Sequence, residues 1–180
     1  MRHSSKIDVR SLVMIALMTA FISVSSIIAI PLVIPITLQT FGVYLALFFL
    51  GGKRGSISVF LYVLIGCLGL PVFSGFGGGV SRLFDAGGGY IIGFVVASLT
   101  YWLLVSVLKC KGSRMIAIAV SLSTLYISGV LWYAFVYLGG GDGVVYAISV
   151  GVLPFIIPDV IKIYLADFIA RRLNKIKYKV

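Results

Sequence analysis

The chain alternates between long apolar runs and short polar or glycine-rich breaks. A transmembrane helix needs about 20 apolar residues, so the runs are predicted to be membrane-spanning helices. The last run is expected to begin with a short interfacial piece. A helix is then expected to open near Pro158, because proline is favoured at the first helical position. The six predicted spans cover, approximately, residues 11–30, 38–50, 56–70, 91–108, 115–138 and 144 to the basic C-terminal tail.

The breaks between the runs carry most of the polar and turn-forming residues. Pro31 and Pro35 open an uncharged loop, and residues 51–55 are expected to form a basic turn. Residues 72–90 are rich in glycine and aromatic side chains. The first run lacks a clear small-residue cleavage site, so we expect a retained helix rather than a signal peptide. The spans leave no room for a separate soluble enzyme domain, and residues 1–180 are predicted to form a single integral membrane domain.

Composition agrees with this pattern. Hydrophobic residues make up 61% of the chain and charged residues 11%, with a mean hydropathy of +1.16. Soluble domains are about 45–50% apolar and about 25% charged. The predicted fold class is therefore an all-α membrane protein with six transmembrane helices.

The charges indicate how the chain is oriented. Lys and Arg number 15 against 5 acidic residues, a net charge of +10. The charges lie in short clusters between apolar runs, as in cytoplasmic membrane loops, so a nucleic-acid partner is not expected. With both termini cytoplasmic, Arg82 is the only basic residue in an outside loop and Lys162 lies within a span. The other thirteen fall inside: Arg2, Lys6, Arg10, Lys53, Arg54, Lys109, Lys111, Arg114, Arg171, Arg172, Lys175, Lys177 and Lys179.

Asp159 and Lys162 are the strongest candidates for a binding site. Ionisable residues inside a membrane segment are costly and are by default functional candidates. At a spacing of three residues they share one helix face, and an anion in the first turn of a helix opening at Pro158 would be favoured by the helix dipole. They offer a carboxylate acceptor beside an ammonium donor. The alternative is a structural pair in which the two charges neutralise each other.

Two loops supply further candidates. In residues 72–90, glycines such as Gly77 and Gly78 let the backbone approach a ligand closely, and Phe73 and Tyr90 can cover an apolar body. Arg82 can pair with a ligand carboxylate; alternatively, it pairs with Asp85 or with lipid headgroups. In the loop that enters the second span, Thr37, Gln39 and Thr40 either line a site or cap the helix.

The remaining chemistry argues against an enzyme. His3 is the only histidine, and Cys67 and Cys110 are the only cysteines, so no metal site or Cys–His catalytic set can be assembled. No Walker A motif is present, so ATP hydrolysis must come from a partner. On the first helix, Ala16 and Ala20 form a small-xxx-small pair that lets another helix approach closely, within this chain or from a partner.

Four strings resemble BioY, the biotin-binding S component of energy-coupling factor transporters: residues 34–42 (IPITLQTFG), 69–73 (GLPVF), 87–94 (GGGYIIGF) and 158–162 (PDVIK). The resemblance covers nearly the whole chain in the same order. It implies a six-helix fold in the cell membrane with an outward-facing pocket under the outer loops. It implies that Asp159 and Lys162 meet the polar head of biotin, with Tyr90, Gln39, Thr37, Phe73, Gly77, Gly78 and Arg82 as further substrate-binding residues.

The resemblance also implies partners. The face of Ala16 and Ala20 would dock on a transmembrane T component coupled to two cytoplasmic ATPases, and no cofactor is expected. Two departures concern the carboxylate end of the ligand: Asp85-Ala86-Gly87 replaces the Gly-Pro-Thr often found before the glycine–tyrosine string, and the loop lacks the Asn of some relatives. Arg82 is therefore assigned by charge alone. The alternative is an S component for a different vitamin or for a biotin precursor.

Overall fold

The computed structural model describes residues 8–108, 112–140 and 143–177, with side chains through Lys175. Arg2, His3, Lys6, Lys109, Cys110, Lys111 and Lys179 lie outside these ranges. The helices are α1 (Val9–Ile27), α2 (Gln39–Leu50), α3 (Gly52–Cys67), α4 (Gly88–Val107), α5 (Ser113–Leu131), α6 (Val144–Gly151) and α7 (Leu153–Lys177). A π-helical segment (Trp132–Tyr137) continues α5, and two 3-10 turns (Ser74–Phe76 and Val80–Leu83) lie between α3 and α4.

Helix α2 forms the centre of the bundle. All of its residues except Phe41 are buried, and it packs against α1, α3 and α7, while α4 packs along α5. At 1.5 Å per residue its 12 residues span only about 18 Å, which is less than the thickness of a bilayer core. The surrounding helices shield α2, and they present many exposed large apolar side chains.

Four helical stretches of the described chain are long and apolar enough to cross a membrane: Val9–Ile27, Gly88–Val107, Ser113–Tyr137 and Val144–Lys175. Helix α2 is a shorter apolar helix, and α3 has 16 residues. The structure is that of a helical membrane protein.

The predicted basic turn at residues 51–55 is wrong in extent, because α3 already begins at Gly52. Gly51 makes the turn by itself, with φ 83°, a backbone conformation that strongly favours glycine. Lys53 and Arg54 therefore lie in the first turn of α3.

Two other local predictions need correction. The predicted first span reached residue 30, but α1 ends at Ile27 and a small antiparallel hairpin, β1 (Ala29–Ile30) with β2 (Ile36–Thr37), flanks the loop at Pro31, so the chain is not entirely α-helical. Helix α7 begins at Leu153 instead of near Pro158. Pro158 lies inside this helix, where its ring lacks the N–H that would bond to the carbonyl of Pro154. The short piece predicted before this helix is α6.

Candidate ligand-binding site

A cavity lies between the start of α2, the start of α4 and the first turns of α7. The space between its walls is about 570 Å³, with the open solvent at its mouth included. The sequence-predicted residues on its wall are Thr37, Gln39, Thr40, Phe73, Tyr90, Asp159 and Lys162; the other lining residues are Ile34, Pro35, Tyr62, Ser74, Gly87, Ile91, Phe94, Leu125 and Phe155.

Asp159 and Lys162 form a buried ion pair on the cavity wall. Lys162 Nζ donates to Asp159 Oδ1 at 2.9 Å, and the two side chains are 10% and 2% exposed. The hydroxyl of Tyr126 donates to Asp159 Oδ2 at 3.0 Å. Both carboxylate oxygens are therefore held by donors, which fixes the carboxylate in place. The sequence placed Asp159 in the first turn of a helix, where the helix dipole would favour its negative charge. Because α7 begins at Leu153, Asp159 lies in the second turn instead, and this part of the prediction is wrong.

Tyr90 and Phe73 supply ordered aromatic walls. The Tyr90 hydroxyl donates to the carbonyl of Gly151 at 2.6 Å, and its ring stacks on Phe155 with centroids 6.2 Å apart. The ring lies directly over Gly129, where a Cβ would overlap it. Phe73 packs in the same way over Gly66 and meets Tyr62 edge-to-face at 5.6 Å. These glycines are needed because the rings approach the helix backbone closely.

Gln39 and Thr37 bring uncharged polar groups to the same cavity. Thr37 Oγ1 accepts from the backbone N–H of Gln39 at 3.2 Å, so Thr37 both supports the start of α2 and lines the cavity. The Gln39 side chain is buried, and its Oε1 accepts from Ser26 Oγ at 3.3 Å. Its Nε2 has no hydrogen-bond partner among the described residues.

The structure does not place Gly77, Gly78 and Arg82 on the cavity wall. Gly78 packs against the backbone of Leu70, and Gly77 lies against the Arg82 guanidinium. Arg82 pairs with Asp85 at 3.1 Å, and both side chains are about half exposed, which agrees with the alternative interpretation of this residue. Arg82 nevertheless lines a neighbouring cleft that shares five residues with the cavity: Pro35, Phe73, Ser74, Gly87 and Ile91.

Ala16 and Ala20 lie on an exposed face of α1. Their exposed neighbours are Leu12, Val13, Leu17, Phe21 and Val24. The opposite face, with Ile15, Thr19 and Ile22, is buried in the bundle. Within the described residues the alanine pair is thus not used for internal packing, which was the alternative for this motif. Asp167 and Arg171, four residues apart on α7, form an ion pair at 2.8 Å, and Asp167 also pairs with Arg114.

Sequence reasoning missed Tyr126, Ser26 and Tyr62. Tyr126 bonds to Asp159, and the Tyr62 hydroxyl donates to Ser26 Oγ at 2.9 Å, beside Gln39. A serine hydroxyl within an apolar span is a weak signal, because serine often bonds to its own helix. A tyrosine there is a weak signal as well, because its ring is apolar and packs like other core aromatics. Their roles depend on which helices become neighbours.

The fold and the cavity together define a class: a helical membrane protein built around a cavity with a charged pair on its wall. Comparison with known proteins makes the assignment specific. The BioY family model matches residues 1–179, and the chain belongs to the BioY family.

Individual relatives agree with this assignment. The chain is 38% identical over 169 residues to the "Biotin transporter BioY" of Thermotoga maritima, covering 93% of this chain and 98% of the relative. It is 37% identical to the "Probable biotin transporter BioY" of Pyrococcus horikoshii, covering 89% and 94%. Among solved structures it is similar to the S-component for biotin from an ECF-type ABC transporter, with a TM-score of 0.79, 29% identity and coverage of 97% and 95%. A second S component, at 19% identity and a TM-score of 0.65, shares the fold.

Proposed function

We propose that this protein is the biotin-binding S component of an ECF-type transporter and takes up biotin across the cell membrane without acting as an enzyme. The observation that carries the proposal is the Asp159–Lys162 pair, buried on the wall of a cavity in a chain of the BioY family. A carboxylate accepts N–H groups and an ammonium donates to a carbonyl. The ureido ring of biotin presents both, so it matches the pair.

The rest of the ligand fits the other walls. Biotin has an apolar thiophane ring and valeryl chain, for which the rings of Phe73, Tyr90 and Phe155 provide apolar contact surface. With the ureido head at Asp159 and Lys162, the carboxylate end extends towards the cavity mouth. Arg82 lines the adjoining cleft and meets this carboxylate if it exchanges its partner Asp85 for the ligand. Gly77 and Gly78 shape the loop that holds Arg82.

In the proposed topology this chain crosses the membrane six times, with both termini in the cytoplasm. Helices α6 and α7 together make the sixth crossing. The exposed Ala16 and Ala20 face docks on a transmembrane T component that is coupled to two cytoplasmic ATPase subunits. Small residues at this spacing permit close helix approach. ATP is used by the partners, and the pocket opens to the outside.

Calorimetric titration of the folded protein in detergent tests the ligand. We expect saturable binding of biotin with a stoichiometry near one. Dethiobiotin, which keeps the urea but lacks the sulfur, and unrelated vitamins are the comparison ligands. Tighter binding of dethiobiotin or of another vitamin than of biotin would replace the proposal with the alternative, an S component for a precursor or for a different vitamin.

A further inference from the structure

An open groove runs along the exposed side of α4. Four of the six side chains in its lining are large, apolar and exposed, and within the described residues its lining has no member in common with that of the ligand cavity. In a membrane-spanning helix such a surface faces hydrocarbon, so an acyl chain is the natural occupant. The lining residues are Val96, Leu99, Thr100, Trp102, Leu103 and Ser106.

The groove ends beside the first turn of α3. Ser56 Oγ of α3 donates to the carbonyl of Ser98 at 2.9 Å. One turn away, Gly52 lies against Trp102, because a Cβ on this glycine would be 2.8 Å from the Trp102 Cα. The two contacts show that α3 and α4 pack antiparallel, with Gly52 and Trp102 at the same end. In the proposed topology this is the cytoplasmic end.

Helix geometry places Lys53 on the same side of the helix pair as the groove. Each residue turns an α-helix by about 100°, so Lys53 lies one such step past Gly52. On α4, Leu103 lies one step past Trp102 in the same way. Because the helices are antiparallel, both steps turn to the same side of the pair. Phe60, seven residues after Lys53, continues this exposed face of α3, so an apolar surface carries an ammonium group at its end.

The electrostatic potential at this end of the groove is positive. Lys53 and Arg54 are exposed, and neither forms an ion pair within the described ranges. Helix α3 has no acidic residue in its first turn and no side-chain cap, so the N–H groups of that turn add to the positive potential. A negatively charged headgroup is therefore attracted to the point where the apolar groove ends.

We propose that this surface, the α3–α4 groove, binds an anionic phospholipid, with the phosphate at Lys53 and an acyl chain along Leu99 and Leu103. Trp102 lies between these two regions, and tryptophan is enriched at the depth of the headgroups. The cytoplasmic leaflet carries the anionic lipids that such a site requires. The inference takes its orientation from the proposed topology, and it does not depend on which ligand occupies the cavity.

Trp102 itself can report on the occupant of the groove. The chain has two tryptophans, so Trp132→Phe leaves Trp102 as the single one. The protein is reconstituted into vesicles of phosphatidylcholine and phosphatidylglycerol, in which one lipid or the other carries brominated chains that quench tryptophan fluorescence on contact. The ratio of the two quenching efficiencies, corrected for mole fraction, measures the preference for the anionic lipid. Thermal unfolding and biotin binding are measured on the same preparations.

Two pairs of variants separate the headgroup from the acyl chain. Lys53→Gln removes the cation at the groove, and Arg54→Gln is its control, because it removes an equal exposed charge from the same turn about 100° further round α3. Thr100→Phe fills the groove, and Thr124→Phe on α5 is its control. The two threonines are matched, since each donates to a carbonyl of its own helix, at 2.9 and 2.8 Å.

We expect Trp102 to prefer phosphatidylglycerol over phosphatidylcholine by about fivefold or more, the factor that one basic residue contributes near an anionic membrane surface. Lys53→Gln should reduce the preference by about fivefold, and Arg54→Gln by less than about twofold. Thr100→Phe should weaken quenching by the anionic lipid, and Thr124→Phe should leave it unchanged.

Native mass spectrometry provides a second measurement that does not need the Trp132→Phe replacement. A phosphatidylglycerol molecule should remain bound to the wild-type protein and to Arg54→Gln, and it should be lost from Lys53→Gln. Retention that is the same in all three proteins would contradict the placement of the phosphate at Lys53.

Three fluorescence results would overturn the inference. The first is the absence of any preference for phosphatidylglycerol. The second is an equal loss in Lys53→Gln and Arg54→Gln, which would indicate diffuse attraction. The third is a Trp102 that neither lipid quenches, which would mean that a second copy of the chain covers the groove. Any of these in a protein that binds biotin leaves the proposed function intact, whereas the expected preference in a folded protein that binds no biotin overturns only the proposed function.

Discussion

Replacing the charged pair separates its role in binding from its role in stability. Asp159→Asn alone leaves the Lys162 ammonium buried without a counter-ion, and breaking a buried pair in this way costs about 3–5 kcal/mol of folding stability. The double replacement Asp159→Asn with Lys162→Met removes both charges. Such neutral replacements of buried pairs are often tolerated, and the new amide oxygen still accepts from Tyr126. We therefore expect the double variant to unfold near the wild-type temperature.

Binding should respond differently from stability. Each charge-assisted hydrogen bond between the pair and the ureido ring contributes about 1.5–3 kcal/mol, so losing one weakens biotin about 10- to 150-fold. The double variant loses the bonds of both residues and should show no measurable binding. Asp167→Asn is the control, because Asp167 pairs with Arg171 and Arg114 away from the cavity. Calorimetry and thermal unfolding are run on all the variants. Wild-type affinity in a folded double variant would mean that the pair is structural.

Three other substitutions test separate parts of the account. Ala16→Trp should block assembly with the T component and the ATPases, and so ATP-driven uptake, without changing biotin affinity; normal uptake in vesicles would refute the docking face. Arg82→Ala should weaken biotin about five- to tenfold and biotinamide less, since an exposed charge-assisted bond contributes about 1–1.5 kcal/mol; an equal loss for both ligands would remove Arg82 from the site. Tyr90→Phe keeps the stack on Phe155 but leaves the Gly151 carbonyl without its hydrogen-bond donor. The folding stability should therefore fall by about 1–3 kcal/mol, measured as a lower melting temperature. An unchanged melting temperature would contradict the importance of this bond.

Much of the fold could be predicted from hydrophobic runs, because the bilayer forces apolar sequence into helices. The predicted start of the second span, residue 38, lies within one residue of the observed start of α2 at Gln39. The ends of the helices could not be predicted in the same way, because they depend on the backbone conformation of single residues and not on the hydrophobicity of the run. Gly51 alone makes the turn between α2 and α3. Helix α7 begins at Leu153, five residues before Pro158, so the proline lies inside the helix and does not mark its start.

The site was predictable where a residue was chemically out of place. Asp159 and Lys162 are charges within an apolar span, so the amino-acid sequence is enough to make each of them a candidate. Tyr126, in contrast, belongs to an ordinary apolar helix, and its bond to Asp159 joins residues 33 positions apart. Arg82 was chosen by charge, and the structure pairs it with a neighbour three residues away. Contacts between distant helices could not be read from spacing along one helix.

A structure determined with biotin bound tests the central claim most directly. We predict that the ureido ring lies in the cavity, with a ring N–H at hydrogen-bond distance, about 2.7–3.2 Å, from the Asp159 carboxylate and the carbonyl oxygen at a similar distance from Lys162 Nζ. Biotin bound outside this cavity, or bound within it while Asp159 and Lys162 contact only each other and Tyr126, would contradict the account.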